Sequence, residues 1–254
     1  MTTPKGKLYL VPAPLDFGCE HLGDIQDVMP LHTLQIAARL GHFICENAKS
    51  TRAYLKRVGE IVPLSQPVQA LQITELPREI HKKGDHTGNF DARPMLVAAI
   101  EGRDMGLVSE AGMPAIADPG SSVVRAAHDL GIEVIALTGP MSLMLALASS
   151  GLNGQNFAFV GYLPQDAGER SLRIKTLESL ALKTGQTQIF IETPYRNAAL
   201  LQALLQTLQG NTRLAISCGL TLDAVWNKSA TVDKWKKDKP APPLGLPAVF
   251  CIGR

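Results

Sequence analysis

The sequence predicts an α/β protein in two domains. Short, continuously apolar runs recur along it, each stopped by glycine or proline and followed by a helical pattern. That rhythm builds a mainly parallel sheet, and unbroken apolar strands suit a sheet covered on both faces. At 254 residues the chain has room for two modest domains.

Residues 8–11 form the first buried strand, stopped by Pro12-Ala13-Pro14. Helical patterns follow over 24–27 and 31–40, then a strand over 42–45 and a helix over 50–58 with one wet face. Residues 59–92 carry Pro63, Pro67 and Pro77 and a polar stretch over 82–89; they read as a long surface loop with one short strand near Ile73. A helix resumes over 94–101, with Pro94 in its first turn. A strand over 105–109 leads to two bends and a helix over 121–130, ended by Gly131. A strand over 133–137 and an apolar helix over 141–148 close this half.

The second half reads as strands over 157–162, 188–192, 213–217 and 247–252, with helices over 169–182 and 198–208. Residues 226–233 read as a surface segment. The domains are placed at 1–117 and 118–254, with neither an internal repeat nor a low-complexity segment.

Apolar residues make up 45% of the chain, enough for a sizeable core. The net charge of +2 argues against a broad nucleic-acid footprint, although an RNA site needs only a local basic patch. No run approaches the roughly 18 apolar residues of a membrane span, and residues 8–11 are too short for a signal segment; a soluble, cytosolic protein is expected. Cys19, Cys45, Cys218 and Cys251 lie far apart, and the histidines show no HExxH spacing, so no structural metal is expected. The cysteines read as reduced thiols.

Four turns follow strands: 12–14, 109–114, 138–142 and 192–194. In open α/β sheets ligands sit beyond the carboxyl ends of strands, and small residues let the backbone approach them. Ordinary βα turns are the plain alternative. No GxGxxG follows the first strand, and no phosphate loop or GxSxG elbow is present. Dinucleotide dehydrogenases, P-loop enzymes, the common Rossmann methyltransferase and the α/β-hydrolases are thereby disfavoured.

The motifs resemble those of the tetrapyrrole methylase superfamily, in the family's order and over nearly the whole chain. Within it they are closest to the small-subunit ribosomal RNA 2′-O-ribose cytidine methyltransferases. The family's GxLYIVATPIGNLxDIT resembles residues 6–15 with Gly23-Asp24-Ile25, and AEDTRxTxxLL resembles residues 45–55. The most specific match sets VSDAGTPxISDPG against Val108-Ser109-Glu110-Ala111-Gly112-Met113-Pro114-Ala115-Ile116-Ala117-Asp118-Pro119-Gly120. Thr138-Gly139-Pro140-Met141-Ser142, residues 146–152, residues 159–164 and Ile191-Glu192-Thr193-Pro194-Tyr195-Arg196 follow in family order.

The resemblance implies two α/β domains with S-adenosylmethionine in the cleft between them, a methyltransferase activity, and a homodimer. It assigns the cofactor to Pro12, Pro14, Ser109, Glu110, Ala111, Pro114, Thr138, Gly139, Pro140, Ser142 and the region of Gly161. Ser217, Pro247 and Ala248 would close over the adenosine. Ribosomal RNA, or the whole small ribosomal subunit, is the implied partner.

Departures fall on the acceptor side. Residues 16–22 are inserted where the RNA-methylating subgroup carries GNLxD. AEDT has become Cys45-Glu46-Asn47-Ala48, LPRK has become Leu163-Pro164-Gln165-Asp166, and RELTKxxE has become Cys218-Gly219-Leu220-Thr221-Leu222-Asp223. Residues 82–89 exceed the family's usual spacer. Losing basic residues removes phosphate contacts.

A ribose hydroxyl is a poor nucleophile that a base assists. Glu46, just after a strand, is the first candidate, with a helix-capping acid as its alternative. Glu110 is the second, acting on cofactor or acceptor, or capping its turn. Asp118 reads as a structural turn residue. Lys49, Arg52, Lys56 and Arg57 offer positive charge within two helical turns, a phosphate site or a solvated face; Glu192 and Arg196 are further acceptor-side candidates. Competing readings are methylation of a tetrapyrrole, methylation of another small-molecule or protein acceptor, and cofactor binding without RNA methylation.

Overall fold

The computed structural model describes residues 4–16, 18–83, 85 and 90–254, with backbone alone at 81–83. Most of the polar stretch over 82–89, and Phe17 of the insertion, therefore lie outside the described residues. The chain falls into two compact units, one running to Pro140 and one from Met141, with Cys19–His21 grouped with the second. The boundary read from the sequence at 117/118 falls inside the first unit. The physical reason is pairing: the strand at Val134–Ala136 hydrogen-bonds to the first strand, so the chain beyond 118 completes the first sheet.

The first unit contains β1 (Leu8–Val11), α1 (Ile25–Val28), α2 (Leu31–Arg39), β2 (His42–Cys45), α3 (Ala48–Ile61), β3 (Gln72–Glu75), α4 (Arg78–Lys83), α5 (Val97–Ile100), β4 (Met105–Val108), α6 (Ser121–Asp129) and β5 (Val134–Ala136). The strands lie in the order β3-β2-β4-β1-β5, all parallel. Side chains alternate across a strand. Tyr9, Val11, Phe43 and Cys45 pack with Leu34, Ala37, Leu55 and Val58 of α2 and α3. Leu8, Ile44 and Leu107 pack on the other face with Ala99, Val123 and Ala127 of α5 and α6. Both faces are covered, so the strands read as unbroken apolar runs.

Residues 59–92 hold more regular structure than the sequence suggests. Besides β3, which falls at the short strand expected near Ile73, helix α3 continues to Ile61, a 3-10 turn spans Val68–Ala70, and α4 follows β3. Strand β3 is an edge strand with mostly exposed side chains, so it carries almost no apolar signal.

The second unit contains α7 (Ser142–Ser150), β6 (Phe157–Tyr162), α8 (Ala167–Thr184), β7 (Thr187–Glu192), α9 (Asn197–Thr207), β8 (Arg213–Cys218), β9 (Trp226–Thr231), α10 (Val232–Asp238) and β10 (Ala248–Gly253). Its sheet has the order β6-β7-β10-β8-β9, parallel only between β6 and β7. Phe190 and Phe250 stack with ring centroids 5.9 Å apart on the face that receives Ile174, Leu177, Leu200, Leu204 and Trp235. Val249 and Cys251 meet Leu143 and Leu147 of α7 on the other face. The segment read as a surface run is the edge strand β9, and Trp235 is buried with its indole N–H donating to Leu214 O at 2.8 Å. Burial pushes the thiols of Cys45 and Cys218 up to about 11 and that of Cys251 up to about 12, which keeps them unreactive. Among the described residues no helix is long and apolar enough to cross a membrane, and no group of three metal-ligating side chains occurs.

Candidate active site

In the first sheet the chain leaves β1 toward β2 on one side and leaves β4 toward β5 on the other. The adjacent strands β1 and β4 therefore flank a topological switch point, where a crevice opens beyond their carboxyl ends. Three of the turns singled out in the sequence meet there. Ala13 and Gly112 exchange backbone hydrogen bonds of 2.9 Å in each direction. Ser109 Oγ donates to Gly112 O at 3.1 Å, which fixes the turn after β4 and commits that hydroxyl. Gly112 holds φ +71°, the left-handed region that favours glycine. Thr33 Oγ1 donates to Thr138 O at 2.7 Å and anchors the turn after β5.

Gly139 packs directly on the Pro12 ring, leaving no room for a Cβ. Gly139→Ala must push the two turns apart. The expected cost is about 1–3 kcal/mol of overpacking, read by urea denaturation. A variant as stable as wild type would show that these turns are loosely seated.

The acids gather at the same sheet edge. Asn47, which replaces a family aspartate, caps α3 by accepting from Lys49 N at 2.8 Å and Ser50 N at 3.3 Å. That capped start sets Glu46 between β2 and α3, pointing back to β4: its Oε1 accepts from Glu110 N at 3.4 Å. Burial pushes the Glu46 carboxyl up to about 8; the charge of Asp118 adds to it, and the Glu110 N–H partly offsets it. Burial, helped by the Glu110 charge, lifts Asp118 to about 6. Asp118 thus belongs electrostatically with Glu46 and Glu110, beyond the turn role that the sequence suggests. Glu110 Oε1 accepts from Ser50 Oγ at 3.0 Å. A carboxyl that is mostly protonated at neutral pH and ionises near 8 is a stronger base than an ordinary glutamate.

Beside these acids lies a cleft of about 170 Å³, lined among others by Pro14, Asp16, Ser50, Tyr54, Arg57 and Glu110. Arg57 is half-buried; it pairs with Asp16 at 3.0 Å and donates to Gly23 O at 2.8 Å. Arg57, offered from the sequence as part of a phosphate site, is instead neutralised here by Asp16, and Ser50 and Tyr54 were not singled out from the sequence. The spacing of Ser50, Tyr54 and Arg57 by four and three on α3 puts them on one helix face, the only local signal available. Lys49 and Arg52 are exposed on the neighbouring face with Lys56.

In the second unit Glu192 and Arg196 engage each other. Glu192 Oε1 accepts from Arg196 Nη2 at 2.7 Å and Nε at 3.0 Å, and from Thr193 N at 2.8 Å. Ser217 Oγ lies 3.3 Å from Ser149 Oγ. Pro247 O accepts from Gly219 N at 3.0 Å, and Ala248, beside it, pairs with Glu192 and Cys218. Asn197, fully buried and not recognised from the sequence, donates to Leu244 O and Leu246 O and so fixes the loop leading to Pro247. Gly161 sits at an irregularity of β6 with φ +73°.

The chain is 32% identical over 215 residues to a ribosomal RNA small subunit methyltransferase I of Mesorhizobium japonicum, covering 84% of this chain and 63% of that protein. It is 31% identical over 222 residues to the protein of the same name from Vibrio cholerae, covering 87% and 67%. The chain thus spans about two thirds or less of the length of these curated relatives. The solved uroporphyrin-III C-methyltransferase of Thermus thermophilus, complexed with S-adenyl homocysteine, superposes with a TM-score of 0.52 at 17% identity, covering 98% of each chain. That likeness establishes the fold. The pattern defining the tetrapyrrole (corrin/porphyrin) methylases matches residues 28–226, and the chain belongs to that family.

Proposed function

We propose that the chain is an S-adenosylmethionine-dependent methyltransferase that methylates a ribose 2′-hydroxyl of small-subunit ribosomal RNA. The observation that carries the reading is Glu46: a carboxyl pushed up to about 8, held at the end of β2 beside Glu110 and the turns after β1 and β4. The names of the relatives and the ligand of the solved neighbour support it.

The turns suit an adenosyl and amino-acid moiety. Pro12, Ala13, Pro14, Ala111, Gly112 and Gly139 carry small side chains, and the close seat of Gly139 on Pro12 leaves the backbone as the approachable surface. In the first unit Pro12, Pro14, Ser109, Glu110, Ala111, Pro114, Thr138, Gly139 and Pro140 would hold the cofactor. In the second, Ser142, Gly161, Ser217, Pro247 and Ala248 are assigned to it on the family pattern. Once bound, the cofactor supplies an electrophilic methyl group on a sulfonium. Glu46 takes the proton from the acceptor hydroxyl as that oxygen gains its methyl. Glu110, fixed by Ser50, orients Glu46 through its N–H. The rest is placement, which alone removes much of such a barrier.

The test is transfer of labelled methyl to small ribosomal subunits from a strain lacking the endogenous ribose methylase, with a calorimetric titration of S-adenosylmethionine alongside. Label in RNA ribose supports the reading. Donor binding without label in RNA overturns the acceptor, and no donor binding overturns the activity. A cytoplasmic homodimer is the working unit implied by the family, checked by sedimentation. Within the acceptor site Lys49 and Arg52 are assigned to phosphates, and Glu192 with Arg196 is a further acceptor-side pair. Replacing Lys49 and Arg52 with Gln should flatten the slope of log affinity against log salt by about 0.7 per charge removed. An unchanged slope would place the phosphates elsewhere.

A further inference from the structure

The chain carries a net charge of only +2, and its positive charge is unevenly placed. Residues 228–239 hold five lysines against two aspartates, an excess of three that exceeds the net charge of the whole chain. This segment is β9 with α10, at the edge of the second sheet. Val232 and Trp235 bury the inner side of α10, and the Trp235 indole N–H bonds Leu214 O at 2.8 Å, so the helix is firmly seated. Lys234, Lys236, Lys237 and Lys239 are exposed on the helix and its end. Lys228 is spent on Asp238 at 3.5 Å, and no ion pair among the described residues engages the other four.

Helix stability does not explain the pattern. Cations in the last turn complement the helix dipole, which accounts for Lys236 and Lys237. Lys234 stands in the first turn, where the dipole disfavours a cation. Lys239 ends the helix at φ +44°, the left-handed conformation for which glycine is the favoured residue. Local rules broken without a structural gain point to function. The face also narrows its occupant. Both large apolar side chains of α10 are buried, so no apolar side is left to enter a membrane. The exposed side of α10 is lysine and aspartate without an aromatic residue, the reverse of the centre of a protein interface. Lysines of this kind suit phosphates. Within the second unit the face lies apart from the site: Glu192, Ala248 and Cys218 pair at one end of the sheet, whereas Thr231, from which α10 starts, pairs with Arg213 at the other.

We propose that the β9–α10 face grips the phosphate backbone of the RNA acceptor through Lys234, Lys236, Lys237 and Lys239, as an anchor blind to base sequence. The inference rests on the RNA reading above. These lysines add affinity and take no part in methyl transfer.

The experiment is fluorescence anisotropy of labelled single-stranded oligouridylate and oligoadenylate over a range of salt concentrations. The proteins are the whole chain as wild type, a triple variant with Lys234→Gln, Lys236→Gln and Lys237→Gln, the matching triple Arg variant, and Lys239→Gly. Lys175→Gln with Lys183→Gln, two exposed lysines of α8, is the control for net charge. The triple Gln variant should flatten the slope of log affinity against log salt by about 2, at about 0.7 per charge, and equally on both RNAs. The Arg variant should keep the wild-type slope. Lys239→Gly should weaken RNA binding while raising the urea midpoint, because glycine relieves the left-handed position. A fall in stability instead would make Lys239 a structural cap and overturn its place in the anchor. An unchanged slope in the triple Gln variant, or the same flattening per charge in the α8 control, overturns the anchor while the RNA reading stands. So does unchanged RNA binding by the triple Gln variant together with loss of a wild-type affinity for phosphatidylserine vesicles, which assigns the face to a membrane. Failure of wild type to bind either RNA overturns both readings; methyl transfer to small ribosomal subunits, measured separately, tests the RNA reading alone.

Discussion

Glu46→Gln slows methyl transfer by about 100-fold or more, within the range for loss of a positioned base. The glutamine keeps the size of the side chain and an oxygen for the Glu110 N–H, so the turn after β4 stays seated. In wild type the pH dependence of kcat/KM rises and levels off above about 8, following ionisation of Glu46. In the variant that limb is lost. The same carboxyl makes a second prediction of opposite sign. The folded protein holds the Glu46 proton more tightly than the unfolded chain. Stability therefore falls as pH rises from about 4.5 toward 8, and the whole penalty is present above that. Glu46→Gln removes the penalty, so at pH 9 the slower enzyme is the more stable protein, by roughly 1–3 kcal/mol. A variant that keeps both rate and rising limb, or is no more stable at pH 9, would move the base to another residue.

What the sequence disclosed, and what it hid, divides by the range of the interaction. Strands β1, β2 and β4 were legible because each is an apolar run ended by a residue that stops it. Their order was not legible; the sheet pairing sets β1 beside β4, and the Ala13–Gly112 bridge joins the turns at 12–14 and 109–114. Most edge strands were legible too: β5 and β6 fall where strands are expected over 133–137 and 157–162, and β3 falls at the short strand expected near Ile73. Trp226–Thr231 reads in the sequence as a surface segment, because its partly exposed side chains give it no apolar signature. Trp235 sits among lysines in sequence yet is buried, because only one face of α10 meets the sheet. The unit boundary was misplaced for a similar reason: β5 joins the first sheet through pairing with β1, which no local feature of residues 118–140 announces.

The acids show the same limit in the site. Glu46 is recognisable by position, at the end of a strand and in a motif. Asp118 reads as a turn residue until the fold brings it within electrostatic reach of Glu46, since desolvation and through-space charge have no sequence signature. Tyr54 was visible only as a member of a partly wet helix, and Arg57 only as one of its four basic residues. The insertion at 16–22 supplies what the helix alone does not show: Asp16, from that segment, neutralises Arg57.

Asp85→Ala should cost about 3 kcal/mol of stability, the scale expected when charge-assisted hydrogen bonds are removed from buried donors. Helix α6 starts at Gly120, which has no side chain to cap it. Asp85 supplies the cap from a distant part of the chain: its carboxylate accepts from Gly120 N at 2.9 Å, Ser122 N at 2.8 Å, Ser121 Oγ at 2.8 Å and Ser122 Oγ at 2.6 Å. Burial alone would raise its pKa, but the bonds from Ser122, Ser121 and Gly120 outweigh it and hold the carboxyl below its usual value. The stabilisation is therefore complete above about pH 4 and is lost as pH falls through the folded-state value. Urea denaturation should show a large gap between wild type and Asp85→Ala at pH 7 and a smaller one at pH 3, with Asp85→Asn in between at neutral pH. Equal gaps at both pH values would mean that the charge contributes nothing. The consequence reaches the site. The loop that carries Glu110 and Asp118 ends at Gly120, so loosening α6 frees the far end of that loop, and transfer should slow in Asp85→Ala even where the protein remains folded.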